Sequence, residues 1–346
     1  MTKSPSVPAI RIPLPPEKLR CSARSSPPIA RQVPLNDRAA ASAFPPRAAR
    51  LGLALALLLP ACQGSEPPEV RTSGCPRCDA ARSAGALPRG GIDECSGVVA
   101  SGTHPDVLYV HNDSGDDARF FALGLDGTPR AEFEVAGATA IDWEDVARGP
   151  CGGGGGSCLY FADIGDNEGE RERYEIYRVE EPDALGGGTG AQTAESFSLV
   201  YPDGSHDAET LLVHPITGAL TVVTKEKDKR DRAWVYELAA LPAAGGTATL
   251  AEAGPIEPPA GGASFTAGDV RPDGSGVLLR TSSHVFFYPM TPEQTVAQAL
   301  AELPCVLPVA AEEQGEAIAW LPGGWNYVTL GEGGEAPLHQ VSCQAP

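Results

Sequence analysis

Residues 141–180, IDWEDVARGPCGGGGGSCLYFADIGDNEGERERYEIYRVE, decide the fold. The stretch opens on an acidic phrase, IDWEDVARG, and passes through a glycine-rich turn into the apolar run CLYFADI. A polar corner follows, and then the aromatic run YEIYRVE. Short apolar runs bounded by Gly, Asp, Asn and Pro, without apolar residues at helical spacing, read as β-strands. The same order recurs four times more. Acidic phrases stand at IDECSGVVA (from Ile92), HDAETLLVH (His206), FTAGDVRPD (Phe265) and EQGEAIAWL (Glu313). Second strands follow as VLYVHND, ALTVVTKE, GVLLRTS and WNYVTLGE, and third strands as RFFALGL, AWVYELA, VFFYPMT and LHQVSCQ. Fourth strands are read at AEFEVAG, ESFSLVY, ATLAEAG and CVLPVAA.

A four-stranded unit repeated at about fifty to sixty residues cannot bury both of its faces alone, and stacking around a central channel solves that problem. The expected fold is therefore all-β: a single β-propeller of five four-stranded blades, with six as the alternative. Residues 90–346 form the propeller, and 62–89 are a linker whose later part is expected to close the ring by supplying the outer strand of the last blade. Composition agrees. The 346 residues include 40 Gly and 33 Pro, only 6% are aromatic, and few windows carry an uninterrupted amphipathic helical pattern.

The first 61 residues are of another kind, rich in Pro, Ala, Ser and Arg. They end in RAARLGLALALLLPAC, whose apolar run of 51–59 is too short to span a bilayer and has the length of a secretory h-region. Leu59-Pro60-Ala61-Cys62 resembles a bacterial lipobox. The resemblance implies removal of residues 1–61, lipidation of Cys62 and attachment to a membrane through that lipid. Gln63 in place of Asp implies the outer membrane of the cell envelope, on its periplasmic or cell-surface side. Translation is expected to start after Met1, at a non-ATG codon such as that of Val33. Residues 1–61 hold nine Lys/Arg against Glu17 and Asp37, a surplus of seven, so the overall −19 leaves −26 on the rest. A field of that sign repels phosphate backbones, so nucleic acid is not an expected partner. Of nine cysteines, Cys21 lies in the leader and Cys62 takes the lipid. The seven others belong to an oxidising compartment and leave one thiol free. Cys151 and Cys158 bracket GGGGGS and are expected to pair; Cys75-Pro-Arg-Cys78 lacks the second ligand pair of a zinc site.

Strands of an up-and-down blade alternate in direction, so the loop entering the inner strand and the corner between second and third strands emerge at one end. Both are acidic. The opening phrases supply Glu94, Asp142, Glu144, Asp145, Asp207, Glu209 and Glu316, and the corners supply Asp113 with Asp116, Asp163 with Asp166, Glu226 with Asp228, and Glu332 with Glu335. Carboxylates converging at a partly desolvated mouth must bind a cation or hold protons. Calcium, a hard ion that takes six to eight oxygens in irregular geometry, is the expected cofactor. Its expected ligands are Glu94, Asp142, Glu144, Asp163, Asp166, Asp207, Glu209 and Glu316. The competing reading is that these acids bond backbone amides and make tight turns. The fourth repeat departs from the pattern, with Gly268 in place of a Glu and Arg280 in place of the corner acids. Arg119, Arg171, Arg173, Lys225, Lys227, His111 and His206 add cations or potential cations to the face.

Asp142-Trp-Glu-Asp-Val-Ala, Asp163-Ile-Gly-Asp-Asn167 with Ile176-Tyr-Arg-Val-Glu-Glu-Pro182, and Asp207-Ala-Glu209 resemble the motifs of a group of secreted bacterial propeller proteins. More distantly, residues 90–340 are similar to the phytase-like and SdiA-regulated propellers. That resemblance implies calcium at the channel mouth. Gluconolactonase-like propellers use channel Glu ligands, to which Glu144, Glu209 and Glu316 could correspond. The leading functional expectation is a monomeric binding or scaffold module for a protein, glycan or anionic small molecule. The alternative is a calcium-dependent hydrolase of phosphoesters, lactones or esters. Its catalytic candidates are Glu144 and Glu209 beside an activated water, His111 or His206 as proton acceptor, and Arg280 as anion clamp. No Gly-x-Ser-x-Gly elbow or phosphate-binding loop is present.

Overall fold

The computed structural model describes residues 69–152, 155–186, 189–225, 232–259 and 264–346, with a short strand at Ala9–Arg11 that pairs with Glu69–Arg71. The rest of the leader, Cys62 and the corner residues Glu226, Lys227 and Asp228 lie outside the described residues. No helix among the described residues is long and apolar enough to cross a membrane.

Five antiparallel sheets ring one axis as a five-bladed β-propeller. Blade 1 runs outward through Cys95–Ala100, Val107–Asn112, Arg119–Gly124 and Pro129–Ala136. Blade 2 uses Trp143–Pro150, Ser157–Asp163, Tyr174–Glu180 and Glu195–Val200, and blade 3 uses Ala208–Val213, Leu220–Thr224, Ala233–Leu238 and Ala251–Ile256. Blade 4 uses Phe265–Val270, Gly276–Thr281, Val285–Pro289 and Cys305–Leu307. Blade 5 takes three strands from the C-terminal end, Gly315–Trp320, Tyr327–Gly331 and Pro337–Val341, and its outer strand from Arg82–Ala86. The ring is thus closed by chain that precedes blade 1. Blade count follows from the core, which divides into five apolar clusters, one at each junction between neighbouring blades and including the junction of blade 5 with blade 1. Inner strands packed on both faces are buried almost throughout, which is why they read as continuous apolar runs and not as alternating ones.

At the closure, backbones touch. A Cβ on Gly85 would sit 1.9 Å from the Asp126 carbonyl oxygen, and one on Gly127, whose φ is +80°, would sit 1.9 Å from that of Ala86. Disulfides Cys75–Cys305 and Cys78–Cys343 tie the segment ahead of the closing strand to blades 4 and 5, and Cys151–Cys158 closes the glycine-rich turn of blade 2. Cys95 is the free thiol among the described residues; burial pushes it up to about 12, so it stays protonated and inert.

Two blades depart from four strands. Thr189–Thr193 lies parallel on the outer strand of blade 1, and Thr247–Thr249 lies parallel on that of blade 2, each sent back from the following blade. The strand read at ATLAEAG is therefore divided: its start covers the edge of blade 2, while Ala251–Ile256 completes blade 3. Segments such as TGAQT carry no apolar alternation, because edge strands of this kind are held by backbone hydrogen bonds alone.

Candidate metal centre at one mouth of the channel

Every inner strand carries a β-bulge near its start, at the same point of the ladder. The pairing skips one residue in each blade: Ser96, Glu144, Glu209, Thr266 and Glu316. A bulge re-aims the extra side chain out of the sheet, and here it sets five equivalent positions around the mouth. Two residues earlier stand Glu94, Asp142, Asp207, Ser264 and Gln314; immediately after the second strands stand Asp113, Ile164, Lys225, Ser282 and Glu332. Among these fifteen positions are eight carboxylates and one ammonium. Blade 4 contributes only hydroxyls, Ser264, Thr266 and Ser282, so the acids form a horseshoe open at that blade.

This register corrects the alignment of repeats made from sequence. Thr266, not Gly268, is the counterpart of Glu144, and Ser96, not Glu94, is that of blade 1. Ser96 Oγ donates to the Glu144 carbonyl (2.6 Å) and Thr266 Oγ1 to that of Gly315 (2.9 Å), so the two neutral bulge residues tie their blades to the next.

Oxygens of Asp113, Asp142 and Glu144 all lie within 4.8 Å of one another. The surrounding charges act on one another as a connected set. Burial, then Asp113 and Asp207, pushes Asp142 up to about 6; burial, then Glu209 and Glu332, pushes Glu316 up to about 8. Burial followed by the repulsion of Asp113, Glu209 and Asp142 holds Glu144 well above the ordinary range. Glu209 rises to about 7 through burial although Lys225 forms an ion pair with it, and Lys225 is itself raised. One ammonium does not balance eight carboxylates.

The corner of blade 2 builds the site without joining it. Asp163 is fully buried and accepts from the backbone N–H of Ile141 (3.2 Å) and Asp142 (3.1 Å), while Arg171 pairs with it at 2.8 Å. Asp166 accepts from the N–H of Glu170 and Arg171 and from the Tyr174 hydroxyl, and its own N–H donates to Asp207 (2.8 Å). Between them, Gly165 lies so close to the acids that a Cβ would stand 2.2 Å from Glu144 Oε1 and 2.4 Å from Asp142 Oδ2. Asp163 and Asp166, expected as ligands, instead have their oxygens engaged by backbone, Arg171 and Tyr174, and they hold Asp142 and Asp207 in place.

Of the expected ligands, Asp142 and Glu144 converge, together with Asp113 from outside the expected set, while Glu94, Asp207, Glu209 and Glu316 occupy the equivalent positions of their blades, where Glu332 also stands outside the expected set. The signal of Asp113 and Glu332 was positional: each directly follows a second strand, as Lys225 does. Three other candidates go elsewhere. Arg280 is fully buried and donates to the carbonyls of Ala317 (2.8 Å) and Leu330 (3.1 Å) and to Glu312 (2.7 Å), linking blade 4 to blade 5. His111 is buried, edge-on to Trp143 and Phe161, and burial lowers it to about 4, so it is neutral. His206 meets Asp203 (3.1 Å) and the Tyr236 hydroxyl (2.9 Å).

Asp145, another opening acid, accepts from Leu211 N–H (3.0 Å) across the junction of blades 2 and 3. No family model matches the chain, and no curated protein matches it.

Proposed function

We propose that the chain is a cell-envelope lipoprotein, anchored to the outer membrane through a lipid on Cys62, whose propeller is a monomeric binding or scaffold module ordered by calcium at Asp113, Asp142 and Glu144. The observation that carries this reading is the convergence of three carboxylates from two blades within 4.8 Å, in a set of acids that push one another's carboxyls up. The donors fit the ion. All are hard oxygens set in an irregular arrangement from two blades, which calcium tolerates, whereas magnesium demands a near-ideal octahedron. Gly165 supports the same reading, since a larger residue would fill the space where the carboxylates meet.

A metal-loaded mouth with acids on blades 1, 2, 3 and 5 and hydroxyls on blade 4 offers a face for a protein, glycan or anionic small molecule. Hydrolysis is the weaker reading, because, of the proton acceptors and anion clamp it needs, His206 and Arg280 are engaged elsewhere and His111 is fully buried against Trp143 and Phe161. Melting of protein stripped of divalent ions, repeated with calcium, magnesium and zinc, tests the metal. Calcium should raise Tm by several degrees and more than magnesium or zinc; identical curves with all three would refute it. Incorporation of labelled palmitate, abolished in Cys62→Ser, tests the anchor.

A further inference from the structure

The end of the channel opposite the acids has a different chemistry. Each inner strand, or the turn just beyond it, contributes there, and a cavity of about 150 Å³ is lined by Ala100, Arg148, Pro215, Asp269 and Trp320, one from each blade. Two of these are charged and of opposite sign. Arg148 has neither a hydrogen bond nor an ion pair with any described residue, and its Nε is buried. A buried guanidinium N–H without an acceptor forfeits its hydration with nothing in return. Trp320, 1% exposed, packs its indole against Phe287, Trp325 and Tyr327 and borders the cavity beside Asp269. Asp269, 8% exposed, accepts from Trp320 N–H at 2.7 Å. Burial pushes its carboxyl up to about 7, and Arg148, although it acts in the opposite direction, stands too far off to form an ion pair with it.

A cavity walled by one unmatched cation and one underused carboxylate, too far apart to satisfy each other, is complementary to a ligand that carries both charges. Net charge narrows the choice. A simple anion would approach a chain of −19 against its mean field, whereas a zwitterion carries no net charge. The size of the cavity limits the ligand to a few heavy atoms.

We propose that this second mouth binds a small amino acid or similar aminocarboxylate, with the carboxylate on Arg148 and the ammonium on Asp269. The guanidinium fork suits a carboxylate in two-point contact. The site is independent of the metal reading, since it shares no residue with the acidic mouth.

The test is calorimetric titration of the full chain with glycine and L-alanine, and with acetate and methylamine as half-ligands, in EDTA and again in calcium. Saturable binding of glycine or alanine, at least tenfold tighter than acetate or methylamine and unchanged by EDTA, is the expected result. Arg148→Met should remove it, and Arg148→Lys should weaken it about tenfold while keeping the charge. Asp269→Asn, which keeps an acceptor for Trp320 N–H, should lose the preference for glycine over acetate. Equal binding of acetate and glycine would overturn the zwitterion, and absence of heat with all four probes would overturn the site. Wild-type affinity in a folded Arg148→Met protein would overturn the assignment of Arg148.

Discussion

Gly165 carries no charge and touches the most charged point of the molecule. Its hydrogen side faces the oxygens of Asp142 and Glu144 at a distance no Cβ tolerates, so Gly165→Ala must push the carboxylates apart or move the corner. Overpacking of this kind costs about 1–3 kcal/mol. The variant should melt lower than the parent and lose its rise in Tm on addition of calcium, which differential scanning calorimetry with and without the ion would show. Arg280 illustrates the opposite case, a charge that looks available in the sequence and is wholly spent. With Arg280 and Glu312 side chains 0% and 2% exposed, Arg280→Met leaves Glu312 buried with His339 and Thr329 as its remaining partners. Removing one member of a buried pair costs about 3–5 kcal/mol. Urea unfolding should show a loss of that size, partly recovered when Glu312→Gln is added. Nothing local to Arg280-Thr-Ser-Ser-His284 distinguishes the two fates of the arginine, because its partner lies 32 residues away in sequence.

At the scale of elements, the bulged inner strand is the device that matters, and it was half legible. The recurrence of IDWEDVARG and its relatives located all five inner strands, since apolar runs after an acidic phrase survive any error of one or two residues. The alternation of strand directions put the acids at one end. The register was not legible. A bulge inserts a residue without a mark in composition, so Glu94 and Gly268 were aligned with bulge residues when Ser96 and Thr266 occupy those places. The parallel edge strands Thr189–Thr193 and Thr247–Thr249 also left no trace, for want of apolar residues. A pH dependence belongs to the bulges. Glu316 moves from 4.5 to about 8 and Glu209 from 4.5 to about 7 on folding, so the folded, metal-free chain binds more protons than the unfolded one between those values. Stability must then fall as pH rises through the window from about 5 to 8. Metal-free protein should show a higher Tm at pH 5.5 than at pH 8, and Glu316→Gln should flatten the slope.

For the whole molecule, closure decides integrity. Blade 5 is completed by Arg82–Ala86, and the segment leading to that strand is bolted by Cys75–Cys305 and Cys78–Cys343 across sequence separations of 230 and 265. Bridges spanning such long loops remove much conformational freedom from the unfolded chain, and loss of a native disulfide typically costs about 2–5 kcal/mol. Cys78→Ser with Cys343→Ser should lower the denaturation midpoint more than Cys151→Ser with Cys158→Ser, whose bridge spans a separation of only 7. Equal losses would mean that the long bridges add nothing to closure.

The order of these fastenings along the chain also sets how the propeller bears tension. A pull that enters from the N-terminal side of Cys75 meets two covalent links, one to blade 4 and one to blade 5, before it reaches the hydrogen bonds of Arg82–Ala86. Force is therefore handed to the body of the ring, and the closing strand, which would otherwise be the first to unzip, is left unloaded.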